Sequence, residues 1–196
     1  MIYKKFGKRI LDILLSVLLL PLLLLVAIPV GIAIKLDDGG TIFFKGKRLG
    51  KNMKIFKMYK FRTMKENAPD IRNKDGSTYN SEKDPRLTKI GGFLRKTSID
   101  ELPQILNVLE GTMSFIGPRP SPLGNLDIYT ERFKRKFEIN PGITGYNQAK
   151  LRNNATMKQR EDNDIYYLEN MSFALDIKIA FLTVKNILKK KNINRN

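Results

Sequence analysis

The chain has 196 residues, with no cysteine and no histidine, and this length fits one domain of ordinary size plus an attachment. Disulfides, thiolate metal sites and cysteine nucleophiles are therefore excluded, and the commonest general base and zinc ligand is missing. Catalysis would have to use Asp, Glu, Lys, Tyr, Ser or Thr, and a magnesium site built from carboxylates and substrate phosphates remains open. A net charge of +17 predicts an anionic partner, which could be nucleic acid, a membrane surface or a phosphorylated substrate.

An uncharged apolar segment of 22 residues occupies positions 13–34. A membrane helix needs about 20 apolar residues, so this segment is long enough to enter or cross a bilayer. A signal peptide is disfavoured, because its apolar region would be shorter, roughly 7–15 residues, and would end at a small-residue cleavage site. No such site precedes Lys35.

The residues around this segment bear on its topology. Basic residues flank it on both sides: Lys4, Lys5, Lys8 and Arg9 before it, and Lys35, Lys45, Lys47, Arg48 and Lys51 after it. A simple spanning helix should have its basic residues concentrated on the cytoplasmic side. Pro21 and Pro29 each remove a backbone hydrogen bond and bend a helix. We therefore predict a re-entrant helix with both ends in the cytoplasm. A single kinked span is the alternative, because membrane helices tolerate proline.

Short elements are predicted along the rest of the chain. Alternation of apolar and basic residues over 54–61 predicts a strand or short hairpin. The expected elements after it are a long polar surface loop at 65–89, an apolar centre at 90–116, turns at 117–120 and 140–145, and helices near 125–138 and 155–169. A last helix is predicted at 172–190, with Lys178, Lys185 and Lys189 on one stripe beside a wide apolar surface. That pattern fits a helix in a bilayer interface or a helix packed on the core.

Residues 97–104, TSIDELPQ, place Asp100 and Glu101 side by side in a basic neighbourhood. Ser98 and Glu101 have the spacing of a capping box, and Asp100 could itself be an N-cap. Pro103 would then lie within the first turn, where its missing N–H is not needed. We therefore predict a helix that begins between Ser98 and Asp100, and such a helix end can bind phosphate through its free N–H groups.

Four basic residues stand in otherwise apolar or turn-rich stretches: Lys60, Arg62, Arg95 and Arg119. Arg119 lies between two prolines, which restrict the backbone around it. Arginine is suited to bidentate contacts with phosphate. Together with the acidic pair and a magnesium ion, these residues would suit a diphosphate. A solvated basic surface is the alternative that the residue types alone leave open.

Four sequence blocks occur in a specific order: KRILD at 8–12, IFKMYKFRTM at 55–64, LRKTSIDELPQILNVLEGTMSFIGPRP at 94–120 and NPGITG at 140–145. In these blocks the chain resembles the small monotopic phosphoglycosyl transferases of bacteria, from about Lys4 to Leu188. The resemblance implies a helix-rich mixed α/β fold, with a re-entrant membrane-anchoring helix over 1–36. A cytosolic catalytic domain of helices and a few short strands would cover 37–196, with interfacial amphipathic helices that include the C-terminal one.

The resemblance also implies a reaction. Such enzymes transfer a sugar-1-phosphate from a UDP-sugar to undecaprenyl (polyprenyl) phosphate and release UMP, in the first membrane step of surface glycan and glycoconjugate biosynthesis. In this family the Asp of the acidic pair is a covalent nucleophile, here Asp100, which Glu101 would assist, and Mg2+ would bind to Asp100 and the diphosphate. The positions that match the family's phosphate-binding residues are Lys60, Arg62, Arg95 and Arg119. An aspartate that is ionised at pH 7 needs no histidine to activate it.

The expected partners are a UDP-sugar, undecaprenyl phosphate and membrane lipid, with downstream glycosyltransferases acting on the product and no nucleic acid. The expected location is the cytosolic face of the bacterial cytoplasmic (inner) membrane. Gln148 and Arg152 match a family stretch that would contact the nucleotide or sugar, whereas Leu24 and Leu25 stand where the family usually has Ser-Pro. The rival hypothesis is a non-enzymatic, membrane-anchored basic module that binds anionic lipid or nucleic acid. Few aromatic residues interleave with the basic ones, which weakens the nucleic-acid form.

Overall fold

The computed structural model describes residues 2–71, 79, 81, 84–151 and 154–188, with only the backbone of the last residue. The helices are α1 Lys8–Asp38, α2 Lys89–Thr97, α3 Gln104–Glu110, α4 Glu131–Lys134, α5 Tyr146–Lys150, α6 Met157–Asn170 and α7 Phe173–Leu188. The strands are β1 Phe43–Leu49, β2 Ile55–Phe61, β3 Ser114–Ile116 and β4 Gly142–Thr144. The prediction of a helix-rich mixed α/β protein with a few short strands is confirmed.

The N-terminal helix is long and carries an extensive apolar surface. A π-helical turn at Tyr3–Gly7 leads into α1, which contains Pro21 and Pro29 and ends before Gly39, a left-handed residue with φ 72°. Its exposed apolar side chains include Leu14, Leu18, Leu22, Leu25, Ile28 and Leu36. Within the described residues, it is the one helix long and apolar enough to cross a membrane. Contiguous apolar surface of this extent marks a contact with lipid or protein, and the protein is accordingly membrane-associated.

The beginning of α1 is attached to the rest of the fold by polar side chains. The Arg9 guanidinium donates a hydrogen bond to Leu109 O in α3, at 2.8 Å. The Asp12 carboxylate accepts hydrogen bonds from Ser114 Oγ and from the Phe115 amide, both at 3.1 Å. Because Asp12 is buried, these bonds replace the water that its carboxylate loses on folding.

The far end of α1 is attached in a similar way. Asp37 accepts a hydrogen bond from the amide of Ile90, at the start of α2, at 2.9 Å. Asp38, the last residue of the helix, forms an ion pair with Arg62. Ile34 packs into the core among side chains of β2, α2 and α3. The helix thus extends two residues beyond the predicted division at residue 36, and the division into an anchor and a catalytic domain stays a prediction.

Asp176 joins the N-terminal segment to α7. Its carboxylate accepts hydrogen bonds from Tyr3 Oη at 2.5 Å, Lys8 Nζ at 2.6 Å and Tyr167 Oη at 2.7 Å. Four apolar side chains of α7 are more than half exposed: Phe173, Ile177, Phe181 and Val184. The predicted C-terminal helix is confirmed as far as it is described, while Lys189 lies outside the described residues. Its placement in a bilayer interface stays a prediction.

Two small sheets position the rest of the molecule. β1 and β2 form an antiparallel hairpin in which Phe44 pairs with Lys60, so the predicted strand or hairpin is confirmed. β3 and β4 are parallel, with Ser114 opposite Gly142. β3 leads directly into the turn at 117–120, and β4 lies within the NPGITG block at 140–145. The pairing of these strands therefore brings two distant sequence blocks together.

Helix predictions for the second half of the chain have different outcomes. α6 confirms the helix predicted at 155–169 and begins with a capping box. The single helix predicted near 125–138 is wrong, because the chain forms 3-10 turns at Leu123–Ile128 and Arg135–Glu138 on either side of the short α4. Thr130 is extended and caps α4 with its side chain. An N-cap residue has non-helical backbone angles, so this cap interrupts any continuous helix.

The apolar interior of the chain after α1 lies where the sequence predicts it. The buried apolar residues between 90 and 116 are Leu94, Ile105, Val108, Met113 and Ile116. The polar stretch at 65–89 contains, in its described residues, a single bridge from Leu87 to Met64 and no helix before α2. The predicted loop and the predicted apolar centre are therefore both confirmed in the described part of the chain.

Candidate active site

The acidic pair lies in a tight connection between α2 and α3. After Thr97, Ser98 takes the left-handed conformation with φ 60°. A 3-10 turn at Ile99–Glu101 follows, and α3 begins after Pro103. The predicted capping box is wrong, since the Ser98 side chain makes no cap hydrogen bond and Asp100 lies inside the turn. The physical reason is that a left-handed residue ends the preceding helix, whereas an N-cap requires an extended backbone.

The Glu101 carboxylate lies between two cations. Lys60 Nζ donates a hydrogen bond to Glu101 Oε1 at 2.6 Å, and Arg119 Nη2 donates to the same oxygen at 3.3 Å. Burial disfavours the charged form of Glu101, but the two cations outweigh it and lower the pKa of this carboxyl to about 2. Glu101 is therefore ionised at neutral pH and keeps both cations beside the acidic pair.

The Asp100 carboxylate is well buried and has few polar contacts. The residue is 7% exposed, and Lys60 Nζ lies 3.6 Å from Asp100 Oδ2. Within the described residues, no hydrogen bond reaches this carboxylate. Burial raises the pKa of Asp100, Lys60 opposes the rise, and the charge of Glu101 adds to it. A carboxylate with unoccupied lone pairs beside cations can act as a nucleophile or as a metal ligand.

Lys60 is directed to the acidic pair by its place in β2. Side chains alternate along a strand, and Lys60 shares a face with the buried Met58. The buried Asn107 of α3 aligns this strand: its Nδ2 donates to Lys57 O at 2.8 Å, and the Tyr59 amide donates to its Oδ1 at 2.9 Å. Because α3 follows the acidic pair directly, this alignment fixes Lys60 relative to both carboxylates.

Arg119 is carried by the turn at 117–120. A hydrogen bond from the Gly117 amide to Thr144 O, at 2.9 Å, joins this turn to β4. The two backbones approach so closely that a Cβ on Gly145 would lie 2.0 Å from Gly117 O, which explains the glycine there. The Arg119 side chain is 55% exposed. The turn therefore presents a cation that a soluble anion can reach.

Arg95 approaches the acidic pair from α2. Its Nε donates a hydrogen bond to Thr63 Oγ1 at 3.1 Å, and its Nη1 lies 3.8 Å from Asp84 Oδ2. It is one of the cations that oppose the burial-induced rise in the pKa of Asp100. Its charge therefore acts on the acidic pair although it makes no hydrogen bond to either carboxylate in the described structure.

Arg62 lies at a different place. Its guanidinium forms an ion pair with Asp38 and donates hydrogen bonds to Thr41 O at 2.5 Å and to Met64 O at 3.0 Å. These contacts attach the end of α1 to the hairpin, and the predicted phosphate-binding role of Arg62 stays a prediction. The predicted residues that the structure brings together are Asp100, Glu101, Lys60 and Arg119, with Arg95 adjacent.

The family of the chain follows from comparison with known proteins. The family model described as bacterial sugar transferase matches residues 3–190, which is nearly the whole chain. This chain belongs to the bacterial sugar transferase family. The resemblance proposed from the sequence is thereby confirmed, and so is the prediction that the chain is an enzyme.

Several curated proteins resemble this sugar transferase closely. It is 40% identical over 188 residues to the uncharacterized sugar transferase EpsL of Bacillus subtilis, covering 96% of this chain and 90% of the relative. It is 38% identical over 193 residues to the exopolysaccharide production protein ExoY of Sinorhizobium fredii, covering 91% and 84%. It is 40% identical over 185 residues to the UDP-glucose:undecaprenyl-phosphate glucose-1-phosphate transferase of Escherichia coli, covering 90% of this chain but 39% of the relative. The sugar transferase thus spans most of some relatives and well under half of others.

Gln148 and Arg152 are the remaining predicted site residues of the sugar transferase. Gln148 lies in α5, and both polar atoms of its amide are buried without a hydrogen-bond partner among the described residues. A Cβ on Gly145 would lie 3.0 Å from Gln148 Oε1, so the amide is next to the backbone on which the Arg119 turn rests. Arg152 lies outside the described residues. Contact of either residue with the nucleotide or sugar stays a prediction.

The donors at the site fit a magnesium ion that is held largely by substrate phosphates. Among the described residues, no group of three or more His, Cys, Asp or Glu side chains is placed to hold a metal ion, so these residues alone do not supply a full set of ligands. Mg2+ commonly uses one or two carboxylates and completes its shell with phosphate oxygens and water. Asp100 can supply such a carboxylate, whereas Glu101 Oε1 already accepts from two cations.

Two polar residues that support the site, Asn107 and Asp84, are absent from the sequence-based predictions. Asn107 is fully buried, and its signal was a lone amide within the apolar run ILNVLE. Asp84 is also buried, but it stands in a polar stretch that has no periodicity to mark a buried position. Its importance therefore becomes visible only from its contacts.

Proposed function

We propose that this enzyme transfers a sugar-1-phosphate from a UDP-sugar to undecaprenyl (polyprenyl) phosphate through a covalent aspartyl-phosphosugar on Asp100, with release of UMP. The proposal rests chiefly on the buried Asp100 carboxylate, which has no hydrogen bond within the described residues and lies among cations. The name of the Escherichia coli relative specifies UDP-glucose and undecaprenyl phosphate, which supports these substrate classes. The reaction would begin surface glycan assembly at the membrane, and downstream glycosyltransferases would extend its product.

The first half-reaction would be a substitution at phosphorus. An Asp100 oxygen attacks the phosphorus that carries the sugar and forms a new P–O bond. The bond from that phosphorus to the bridging oxygen breaks, and UMP leaves with the electron pair. Lys60, Arg95 and Arg119 would neutralise phosphoryl oxygens that otherwise repel an anionic nucleophile. Mg2+, when bound by Asp100 and the diphosphate, would add positive charge against the same oxygens.

The second half-reaction would regenerate the enzyme. A phosphate oxygen of undecaprenyl phosphate attacks the phosphorus of the aspartyl-phosphosugar and forms a polyprenyl diphosphate sugar. The acyl phosphate bond breaks and returns its electron pair to the Asp100 carboxylate. Both nucleophiles would attack as anions, so neither step needs a general base once its nucleophile is ionised. This chemistry is compatible with a chain that has no histidine.

Glu101 would assist through position rather than attack. Its Oε1 accepts hydrogen bonds from Lys60 and Arg119, and its pKa is lowered to about 2. An oxygen of such low basicity is a weak nucleophile, because nucleophilicity falls with basicity within one class of atom. The same contacts hold the two cations next to Asp100, where the phosphoryl group would lie.

A re-entrant α1 would bring this site to the membrane surface, where a soluble UDP-sugar meets a lipid acceptor. A straight helix from Asp12 to Asp37 rises about 38 Å, which exceeds the roughly 30 Å of a hydrocarbon core. A straight span would therefore separate the two residues onto opposite faces, yet both bind the same small domain. The exposed apolar side chains of α7 would add an interfacial contact. We assign the enzyme to the cytosolic face of the bacterial inner membrane.

Single cysteines would test this topology. The native chain has no cysteine, so Lys5→Cys and Lys35→Cys, both at exposed positions, introduce the only thiols. We expect neither to react with a membrane-impermeant maleimide in intact cells and both to react once the inner membrane is opened. The wild-type chain gives the background, and labelling of either cysteine from the periplasm would show a true span.

A UMP-release assay tests the proposed function. Purified enzyme, Mg2+ and undecaprenyl phosphate are combined with a panel of UDP-sugars, and we expect repeated turnover with at least one of them. Family membership disfavours the non-enzymatic membrane-anchored module that binds anionic lipid or nucleic acid. If no UDP-sugar gives UMP, the transferase proposal is wrong and that alternative gains support.

Arg119→Lys should lose activity with little loss of stability. An ammonium cannot reproduce the two-pronged contact of a guanidinium with phosphate, and hydrogen bonds to charged groups contribute about 1.5–3 kcal/mol. We therefore expect kcat/KM for the UDP-sugar to fall roughly tenfold to a hundredfold. Arg132→Lys is a matched control, because Arg132 is 51% exposed and also pairs with carboxylates. Near-normal kcat/KM in Arg119→Lys would remove this residue from the site.

A further inference from the structure

Asp84 is a fully buried carboxylate shared by two arginines. Its side chain is 0% exposed. Arg86 binds it in a bidentate manner, with Nε donating to Oδ1 at 2.9 Å and Nη2 donating to Oδ2 at 2.7 Å. The Arg86 amide also donates to Oδ1, at 3.0 Å. On the other side, Arg95 Nη1 lies 3.8 Å from Oδ2. Asp84 thus connects Arg86 to Arg95, one of the cations whose charge acts on Asp100.

Arg86 is itself fixed by the surrounding chain. Its Nη1 donates to Pro69 O at 3.0 Å, and its Nη2 donates to Tyr79 O at 3.2 Å. The bidentate ion pair, together with the hydrogen bonds from Arg86 to these backbone carbonyls, holds the Asp84 carboxylate in a single orientation. The hydrogen bonds of Arg86 lower the pKa of Asp84, so the carboxylate carries its charge at neutral pH.

The direction of the Arg95 side chain is defined by two contacts. Asp84 lies on one side of its guanidinium, and Thr63 Oγ1 accepts from its Nε at 3.1 Å. Thr63 is a firm partner, because α2 packs so closely on it that a Cβ on Gly91 would lie 2.0 Å from Thr63 O. Within the described residues no other hydrogen bond of this guanidinium is found. The remaining N–H groups therefore have no hydrogen-bond partner in the described part of the chain, and the charge of this guanidinium acts on Asp100.

We propose that Asp84 is a positioning residue, which acts through Arg95 on the phosphoryl group that Asp100 attacks. The proposal rests on the proposed function. A fixed negative charge behind Arg95 holds its guanidinium at a distance from Asp100 and keeps its donors directed toward substrate. Without that charge, the flexible arginine can turn and pair directly with Asp100, whose carboxylate accepts no hydrogen bond among the described residues. Such a pair would occupy the nucleophile and withdraw a cation from the substrate.

A double-mutant cycle distinguishes this role from a structural one. The proteins are the wild type, Asp84→Asn, Arg95→Gln and the double variant, and the measured quantity is kcat/KM for UMP release. Misplacement of a charged contact can cost up to about a hundredfold, so we expect each single variant to lose roughly tenfold to a hundredfold. If Asp84 acts through Arg95, the double variant is no worse than Arg95→Gln alone. Losses that multiply would overturn the proposal.

A second readout separates this proposal from the proposed function. Affinity for UDP, which cannot donate a sugar phosphate, is measured by calorimetry in the same four proteins and should show the same non-additive pattern. A wild type that binds UDP but releases no UMP from any UDP-sugar would refute the transfer reaction, and the UDP cycle would still decide the role of Asp84. Multiplying losses of UDP affinity would overturn that role.

Two further variants control for charge and burial. Asp84→Glu keeps the negative charge and should lose less activity than Asp84→Asn; equal losses would show that charge is not what matters and would overturn the proposal. Asp164 is a comparable buried carboxylate, 3.0 Å from Lys136 Nζ. Any loss of kcat/KM in Asp164→Asn should multiply with the loss in Arg95→Gln when the two changes are combined. No contact among the described residues connects Asp164 to that arginine. Thermal unfolding of every variant shows which losses follow from stability alone.

Discussion

The Asp100→Asn enzyme is expected to release UMP at least roughly a thousandfold more slowly than the wild type, equivalent to about 4 kcal/mol of barrier. Asparagine matches aspartate in shape, but its neutral amide oxygen is a poor nucleophile toward phosphorus. Stability should not fall. The pKa of Asp100 is raised in the folded protein, chiefly by burial, so this carboxyl group opposes folding at pH 7, above its pKa in the unfolded chain, and the neutral amide removes that cost. UMP release and thermal unfolding measure the two effects.

The covalent route gives a second signature of Asp100. Wild-type enzyme with UDP-sugar and Mg2+, but without lipid acceptor, should release at most about one UMP per active site and gain the mass of a sugar phosphate. Asp100→Asn should do neither. Asp162→Asn is a control, because that carboxylate is half exposed and pairs with Arg132 at the surface. Wild-type turnover in Asp100→Asn, or an adduct on another residue, would show that the assignment is wrong.

Local pattern was enough to predict several elements. The alternation over 54–61 predicted a strand of the hairpin. One face of that strand, with Met58 and Lys60, is turned inward, so its residue types differ from those of the face toward solvent. α6 and α7 follow from helical periodicity, which a single segment contains in full. Residue types suggested a grouping of the acidic pair with Lys60 and Arg119, but a solvated basic surface stayed open until the family resemblance, since no local spacing relates residues on separate elements.

The predictions that failed depend on distant partners. Glu101 matched a capping box, but its carboxylate binds Lys60 and Arg119, which are 41 and 18 residues away in the chain. The phosphate-binding role of Arg62 is not among these failures and stays a prediction, although its guanidinium meets Asp38, a partner 24 residues away in the chain. A charged group takes the strongest partner that the fold offers, and that partner becomes known only when the fold is known. The same holds for Asp84, whose polar surroundings in the sequence conceal complete burial.

Lys60→Met is expected to lower turnover at pH 7 by at least about a hundredfold, the scale found when one preorganised donor is removed from an active site. It should also move the acid limb of the pH–rate profile to higher pH. Attack requires the ionised form of Asp100, so the rate falls as pH drops through the pKa of this carboxyl. Burial raises that pKa and the charge of Lys60 opposes the rise, so removing the charge must raise the pKa further. A rate profile between about pH 5 and pH 9 measures both effects.

Lys57→Met separates the effect of Lys60 from a general loss of positive charge. Lys57 lies three residues earlier in β2, on the opposite face of the strand, and is exposed. Its change to methionine should leave the acid limb where it is in the wild type. In Lys60→Met, part of the lost activity should return at high pH, where Asp100 is ionised again, and the rest should not, because the contact with phosphate is missing. An acid limb that stays in place in Lys60→Met would mean that Asp100 does not control the rate.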